Sequence, residues 1–158
     1  MEMRHDLQGF DKLKRAFMRA PQFVSRELDG WMQATTLHLE REIVLRTPKK
    51  EGTLQKSIGS EVQKVGQFGV AGIVSTALNY AEPVEFGSKP HEIKPKPGKY
   101  LHFMIRGVPV FTKKPIQHPG SKGAFMFTKA LQANINHIED DFARFVDRVL
   151  AKIAAGAV

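Results

Sequence analysis

Seven of the nine prolines of this 158-residue chain fall between Pro83 and Pro119. Proline fixes φ, lacks an N–H donor and clashes inside helices. Long helices are therefore confined to the two ends, and the centre must be extended, turned or at a sheet edge. The same stretch holds the charge. Ser88 to Lys122 carries Lys89, Lys94, Lys96, Lys99, Arg106, Lys113, Lys114 and Lys122 against Glu92 alone. The whole chain has a net charge of +8, so nearly all of its excess sits in this segment. Two almost balanced ends flank a basic, proline-rich centre.

The ends carry helical periodicity. Phe10, Leu13 and Phe17, with Lys12, Lys14 and Arg15 opposite, predict a helix over 10–20. Pro21 suits the first turn of a second helix over 21–47, where its missing N–H costs nothing. Val24, Leu28, Trp31, Leu39 and Ile43 form the inner stripe of that helix. Gly30 permits a bend, and Pro48 ends the segment. At the other end Ala130, Leu131, Asn134, Ile138, Phe142, Phe145, Val149 and Ile153 recur at spacings of mostly three and four. They predict a long amphipathic helix over 123–155.

Between the ends the period changes. Ile58–Val65 and Val70–Thr76, joined through Gly66 and Gly69, read as a hairpin. Asn79–Phe86 is a strand or a short helical turn. Ser88–Lys99 has three prolines and no apolar period, and is expected as an exposed loop. Tyr100–Ile105 and Val108–Ile116 read as two more strands around Arg106–Gly107. The expected fold class is α+β, an antiparallel β-sheet flanked by N-terminal helices and one long C-terminal helix. It is expected as a single domain over 1–158: an extension (1–20), a helix (21–47), a sheet (54–118) with the basic loop 88–99, and the last helix.

The chemistry is limited by what is missing. With no cysteine there are no disulfides, zinc–thiolate sites or thiol nucleophiles. Six histidines show no tight ligand spacing. His102 and His118 could meet across a hairpin, but surface histidines are the simpler reading. Glu82 and Glu85 lie beside Tyr80, where a structural turn explains them best. Glu139, Asp140 and Asp141 read as a solvated helix face. No P-loop, GxSxG or GxGxxG motif is present. The chain is expected to be no enzyme and to need no metal or cofactor. No segment reaches the roughly 18 apolar residues of a membrane span, and the start lacks a signal-peptide pattern. The basic centre is the exception to average composition. As a nucleic-acid surface, Lys89, Lys94, Lys96, Lys99, Lys113 and Lys114 would contact phosphates and read no bases. As a structural feature, they would protect an edge strand from aggregation.

Three stretches together carry a resemblance. Thr47-Pro-Lys-Lys-Glu-Gly-Thr-Leu-Gln-Lys-Ser-Ile58 is similar to a P-x-x-T-G-x-L-x-x-S-I signature after a helix. Asn79-Tyr-Ala-Glu-Pro-Val-Glu-Phe-Gly-Ser88 is similar to Y-A-x-x-V-E-F-G-T. His118-Pro-Gly-Ser-Lys-Gly-Ala-Phe-Met126 is similar to H-P-G-x-x-x-x-P-F-[ML] before a long helix. In this order the set resembles the neck, or tail-completion, family of long-tailed bacteriophages, over about Leu28 to Ile153.

The resemblance implies a non-enzymatic virion protein that closes the head-proximal end of the tail or joins tail to head. Such a protein is made in the host cytoplasm and acts in the particle as a ring, expected to be hexameric, even if it is a monomer in solution. Its partners would be itself, the connector and the tail-tube proteins, with possible contact to packaged DNA and none to membrane. The motif residues would then be structural. Gly52 and Leu54 set the turn and anchor after the first long helix. Tyr80, Val84 and Phe86 pack the sheet against that helix. Gly87 releases the chain into the basic loop, and His118, Pro119 and Gly120 shape the turn before the last helix. Six inward-facing basic segments would line a lumen with roughly +40 charges, suited to a DNA channel.

Overall fold

The computed structural model describes residues 10–49, 51–66 and 69–157. The first nine residues of the expected extension, Lys50 of the first signature, and the Phe10 and Leu13 side chains lie outside the described part. In chain order the elements are α1 (Phe10–Arg46), α2 (Thr53–Ser57), β1 (Ile58–Val65), β2 (Gly69–Thr76), α3 (Ala81–Phe86), β3 (Gly87–Ser88), β4 (His91–Ile93), β5 (Leu101–Ile105), β6 (Val108–Thr112), β7 (Ile116–His118), β8 (Ser121–Lys122) and α4 (Met126–Ala154). The fold is mixed helix and strand, with long helices at both ends and antiparallel strands between them. No helix among the described residues is long and apolar enough to cross a membrane. The chain forms two compact units. One comprises the residues up to Ala77 with those from Met126 onward; the other is Leu78–Phe125, inserted between them in the chain.

In the first unit, α1 differs from the expected pair of helices by running unbroken through Pro21 and Gly30. Ala16 and Phe23 are both buried, so the inner face keeps its phase across the proline. Pro21 itself is exposed, which puts its ring on the solvent side. Phe23 enters the core with Phe145 and Val149, and Val24, Leu28, Trp31, Val146 and Ile153 pack around them. Burying large apolar side chains returns about 1.5–3 kcal/mol each. That offsets a helix-interior proline, which costs about 3 kcal/mol.

Two surfaces of α1 are covered. Helix α4 packs antiparallel along one: Glu27 meets Lys152 (3.3 Å), Trp31 meets Phe142 (ring centroids 5.0 Å) and His38 meets Asn134 (2.9 Å). The β1–β2 hairpin packs along the other, pairing in unbroken register from Ile58 with Thr76 to Val65 with Gly69. Asp29 lies 4.0 Å from Lys64, and Ser60 Oγ donates to the Glu40 carboxylate. At Gly72 the strand backbone lies against Thr36 and Met32, with no room for a Cβ.

The joint between α1 and β1 is built from Thr47, Gly52, Leu54, Gln55 and Ser57. Thr47 is buried, and its hydroxyl donates to the Ile43 carbonyl (2.7 Å). Gln55 Nε2 donates to the Val44 and Thr47 carbonyls (3.0 and 3.3 Å), which caps the end of α1, where the last carbonyls lack intrahelical i+4 partners. Gly52 has φ +75°, Leu54 is buried, and Ser57 bonds Thr76 across to β2 (2.7 Å). Gly52 and Leu54 thus hold the turn and the anchor.

In the second unit, the expected single sheet is replaced by three nested antiparallel ladders. β3 pairs β8, β4 pairs β7 and β5 pairs β6. The first strand runs outward through β3, β4 and β5, and the chain returns through β6, β7 and β8. The expected loop 88–99 is therefore partly strand, because Ser88 pairs Ser121 and His91–Ile93 pairs Ile116–His118. The expected strand Val108–Ile116 is broken at Lys113-Lys114-Pro115, since Pro115 has no N–H for a ladder.

Gly72→Ala is expected to lower stability by about 1–3 kcal/mol, because the new methyl overlaps Thr36. Thermal melts of the single variants and of Gly72→Ala with Thr36→Ala check this. The double variant should recover part of the loss.

Candidate functional site: the basic ribbon

The base of the ribbon is where two backbones come closest. Gly87 has φ +84° and ψ 178°, a region open essentially to glycine alone. A Cβ there would overlap the Ser121 carbonyl; one at Gly120 would overlap that of Ser88; one at Gly123 would sit 2.5 Å from that of Glu85. The close approach lets Ala124 N–H donate to Val84 O (2.8 Å) and Phe125 N–H to Glu85 O (3.0 Å). These bonds satisfy the carbonyls at the end of α3. Gly87 and Gly120 thus share one joint with Gly123, which sequence reasoning did not single out. Its signal was a third glycine three residues after Gly120.

Above the base, His91 and His118 stand directly opposite each other, with ring centroids 5.0 Å apart. His91 Nδ1 bonds the Lys89 carbonyl (2.8 Å), and His118 Nδ1 accepts from Gly120 N–H (3.0 Å). The histidine facing His118 is therefore His91; His102, which could have met it across a hairpin, stacks on Phe111 instead (4.6 Å). The second bond shows how His118 shapes the turn through Pro119.

The next level holds the lysines. Pairing stops at Ile93 with Ile116 and resumes at Leu101 with Thr112. Residues 94–100 of the outgoing strand thus face only 113–115 of the return strand. The longer side folds into a turn, with Lys99 N–H donating to Lys96 O (2.9 Å) around Pro97 and Gly98, whose φ is +72°. Proline followed by a positive-φ glycine is the type II turn arrangement. The register therefore brings Lys94, Lys96, Lys99, Lys113 and Lys114 to one level of the ribbon, all exposed. Lys94 pairs with Glu92 (3.0 Å), and Lys113 Nζ lies 4.7 Å from the Tyr100 ring centroid. Lys96, Lys99 and Lys114 have no carboxylate partner among the described residues. Lys89 lies apart, between the first two ladders.

Beyond the lysines, Ile105 and Val108 flank a two-residue turn with φ +50° at Arg106 and +84° at Gly107. Positive φ at both positions is the type I′ signature of a tight hairpin. Apolar side chains occupy both faces of this tip. Leu101, Phe103, Ile105, Val108 and Val110 share one face; Met104, Pro109 and Phe111 share the other with His102. Met104, Val108 and Phe111 are each about 60% exposed (59%, 62% and 66%).

The α3 residues depart from their expected packing role. Tyr80 is 46% exposed and Phe86 65%, and Val84 is half-buried. The buried side chains of α3 are Ala81 and Glu85, while Glu82 is exposed. One apolar position per helical turn faces inward here, and the glutamate takes the inner place.

A second cluster lies in the first unit. An open groove of about 350 Å³ is lined by Trp31, His38, His137, Asp141 and Arg144 among others. Asp141 accepts from Arg144 (2.5 Å) and lies 3.0 Å from His137 Nδ1. The Arg144 hydrogen bond holds its carboxyl below the usual range, with partial burial opposing and the charge of His137 assisting. No three metal-ligating side chains converge among the described residues.

Comparison with protein-family models, curated proteins and solved structures finds no match to this chain.

Two outcomes follow from these sites. Gly87→Ala is expected to cost about 1–3 kcal/mol of local stability. Hydrogen exchange should show faster exchange at Ser88 and Lys122, with the β1–β2 amides unchanged. Asp141 is expected to titrate below an ordinary aspartate, and Arg144→Ala to move it back up. Since its folded value is the lower one, its stabilisation is present above the ordinary range and lost as pH falls through the folded value. Carboxyl carbon shifts during an acid titration check both.

Proposed function

We propose that this chain is a virion structural subunit of a long-tailed bacteriophage, placed at the neck or the head-proximal end of the tail, and that it acts by assembling into a ring. The observation that carries the reading is the second unit. Its ladders are all two-stranded, and its tip exposes apolar side chains on both faces. An isolated two-stranded hairpin is marginally stable in water. A subunit with this unit gains stability when neighbours cover it, as ring assembly provides. The three signature stretches support the same reading, because Gly52, Leu54, Gly87, His118 and Gly120 each hold a turn or an anchor. In this reading the partners are further copies, expected six, with the connector and the tail tube. The protein is made in the host cytoplasm and incorporated into the particle.

The lysine cluster favours one alternative, non-specific nucleic-acid binding through 88–122. Five lysines at one level, three of them unpaired, would neutralise phosphates without reading bases.

Electron microscopy of particles made without this protein tests the first reading. Filled heads lacking attached tails, or tails of abnormal length, are expected; normal tailed particles would overturn it. DNA titrations at several salt concentrations test the second. If the isolated chain binds, changing Lys94, Lys96, Lys113 and Lys114 to Gln should lower the log–log salt slope by roughly 3–4. An unchanged slope excludes these lysines as phosphate contacts.

A further inference from the structure

We propose that the ribbon tip, Tyr100 to Thr112, docks head-to-tail on helix α4 of a second copy of this chain, along Leu131, Ile135, Glu139 and Phe142. The proposal rests on the ring reading above and names the surface that such a ring would use.

The large exposed apolar side chains of α1 and α4 fall in three stretches, apart from Leu150 between Arg148 and Lys152, and charge separates them. Phe17 and Met18 on α1 lie among Lys14, Arg15 and Arg19, which repel the lysines of the ribbon. Leu37 and Leu45 flank the exposed Arg41, and the nearby carboxylates are engaged, Glu40 by Ser60 and Glu42 by Arg46. The third stretch is on α4. Leu131, Ile135 and Phe142 are 49%, 43% and 43% exposed, and their spacings of four and seven put them on one face. Glu139 continues that row one turn after Ile135. Between Lys129 and Arg144 the helix has three carboxylates and no lysine or arginine. Glu139 and Asp140 are exposed and have no cationic partner among the described residues.

The ribbon has the complementary pattern. Met104 and Phe111 are exposed apolar anchors, and Lys96, Lys99 and Lys114 at the next level are unpaired cations. Pairing ribbon with ribbon would bring two lysine clusters together, and like charges juxtaposed across an interface disfavour it. Ribbon on α4 matches apolar to apolar and basic to acidic. The two surfaces differ, so the contact is heterologous, the type that closes into a ring when its rotation allows.

The chain has no cysteine, so introduced ones are unique. A tagged Phe111→Cys chain is mixed with an untagged Ile135→Cys chain at high concentration and oxidised. The expected product is a tagged–untagged disulfide dimer, and the Met104→Cys with Leu131→Cys pair should reproduce it. Lys113→Glu with Lys114→Glu should cut the yield about tenfold, and Glu139→Lys with Asp140→Lys on the other chain should restore it. Circular dichroism verifies that each variant is folded. Homodimers alone, an intrachain bond in the Phe111→Cys/Ile135→Cys variant, or no bond at any concentration would overturn the proposal. Particle phenotype separates the two claims. If loss of the protein leaves tails unattached while the bond never forms, the neck reading stands and this docking falls. If the bond forms while particles lacking the protein are normal, the reverse holds.

Discussion

Helix α1 is held from two sides at once, and the first unit depends on that double contact. Its aromatic side, through Phe23 and Trp31, packs on Phe145, Val149 and Phe142 of α4. Its other side, through Met32 and Thr36, receives the β1–β2 hairpin at Gly72. The hairpin has only two strands, so the helix supplies the layer that a larger sheet would otherwise provide. Interrupting α1 at Pro21 would remove Phe23 from this arrangement. The packing therefore wins over the local preference of proline.

The second unit depends on a different force. Its base is set by main-chain proximity, with Gly87, Gly120 and Gly123 removing the side chains that would keep the strands apart. Its outer part has few buried side chains, and the burial it lacks is available only from outside the unit. The first unit is thus held by side-chain packing around α1, the second by backbone approach at its glycines.

The helices at both ends and the hairpin at 58–76 were legible because hydrophobic period reports burial directly. Pro21 does not break α1 as its sequence context suggests, because a proline on the solvent face leaves the inner stripe intact. Of the nested ladders, the β5–β6 hairpin about Arg106–Gly107 was legible, whereas the β3–β8 and β4–β7 pairings were not. Gly87–Ser88, His91–Ile93, Ile116–His118 and Ser121–Lys122 are two or three residues each, too short to show an alternation of apolar and polar side chains. Short ladders separated by unequal stretches also give no local period. The lysines themselves were visible as composition, but their meeting at one level depends on register. Phe86 is exposed and not packed as expected for a similar reason: a helix of six residues has too few turns to declare its inner face.

The unequal arms at 94–100 and 113–115 act as a length-tolerant spacer. The ladder below ends at Ile93 with Ile116, and the one above begins afresh at Leu101 with Thr112. Neither needs the other's register. The register of β5 with β6 is set by their own Arg106–Gly107 turn and not by the Lys-Pro stretch. Charge and reach are thereby open to adjustment independently of the joint below and the apolar tip above.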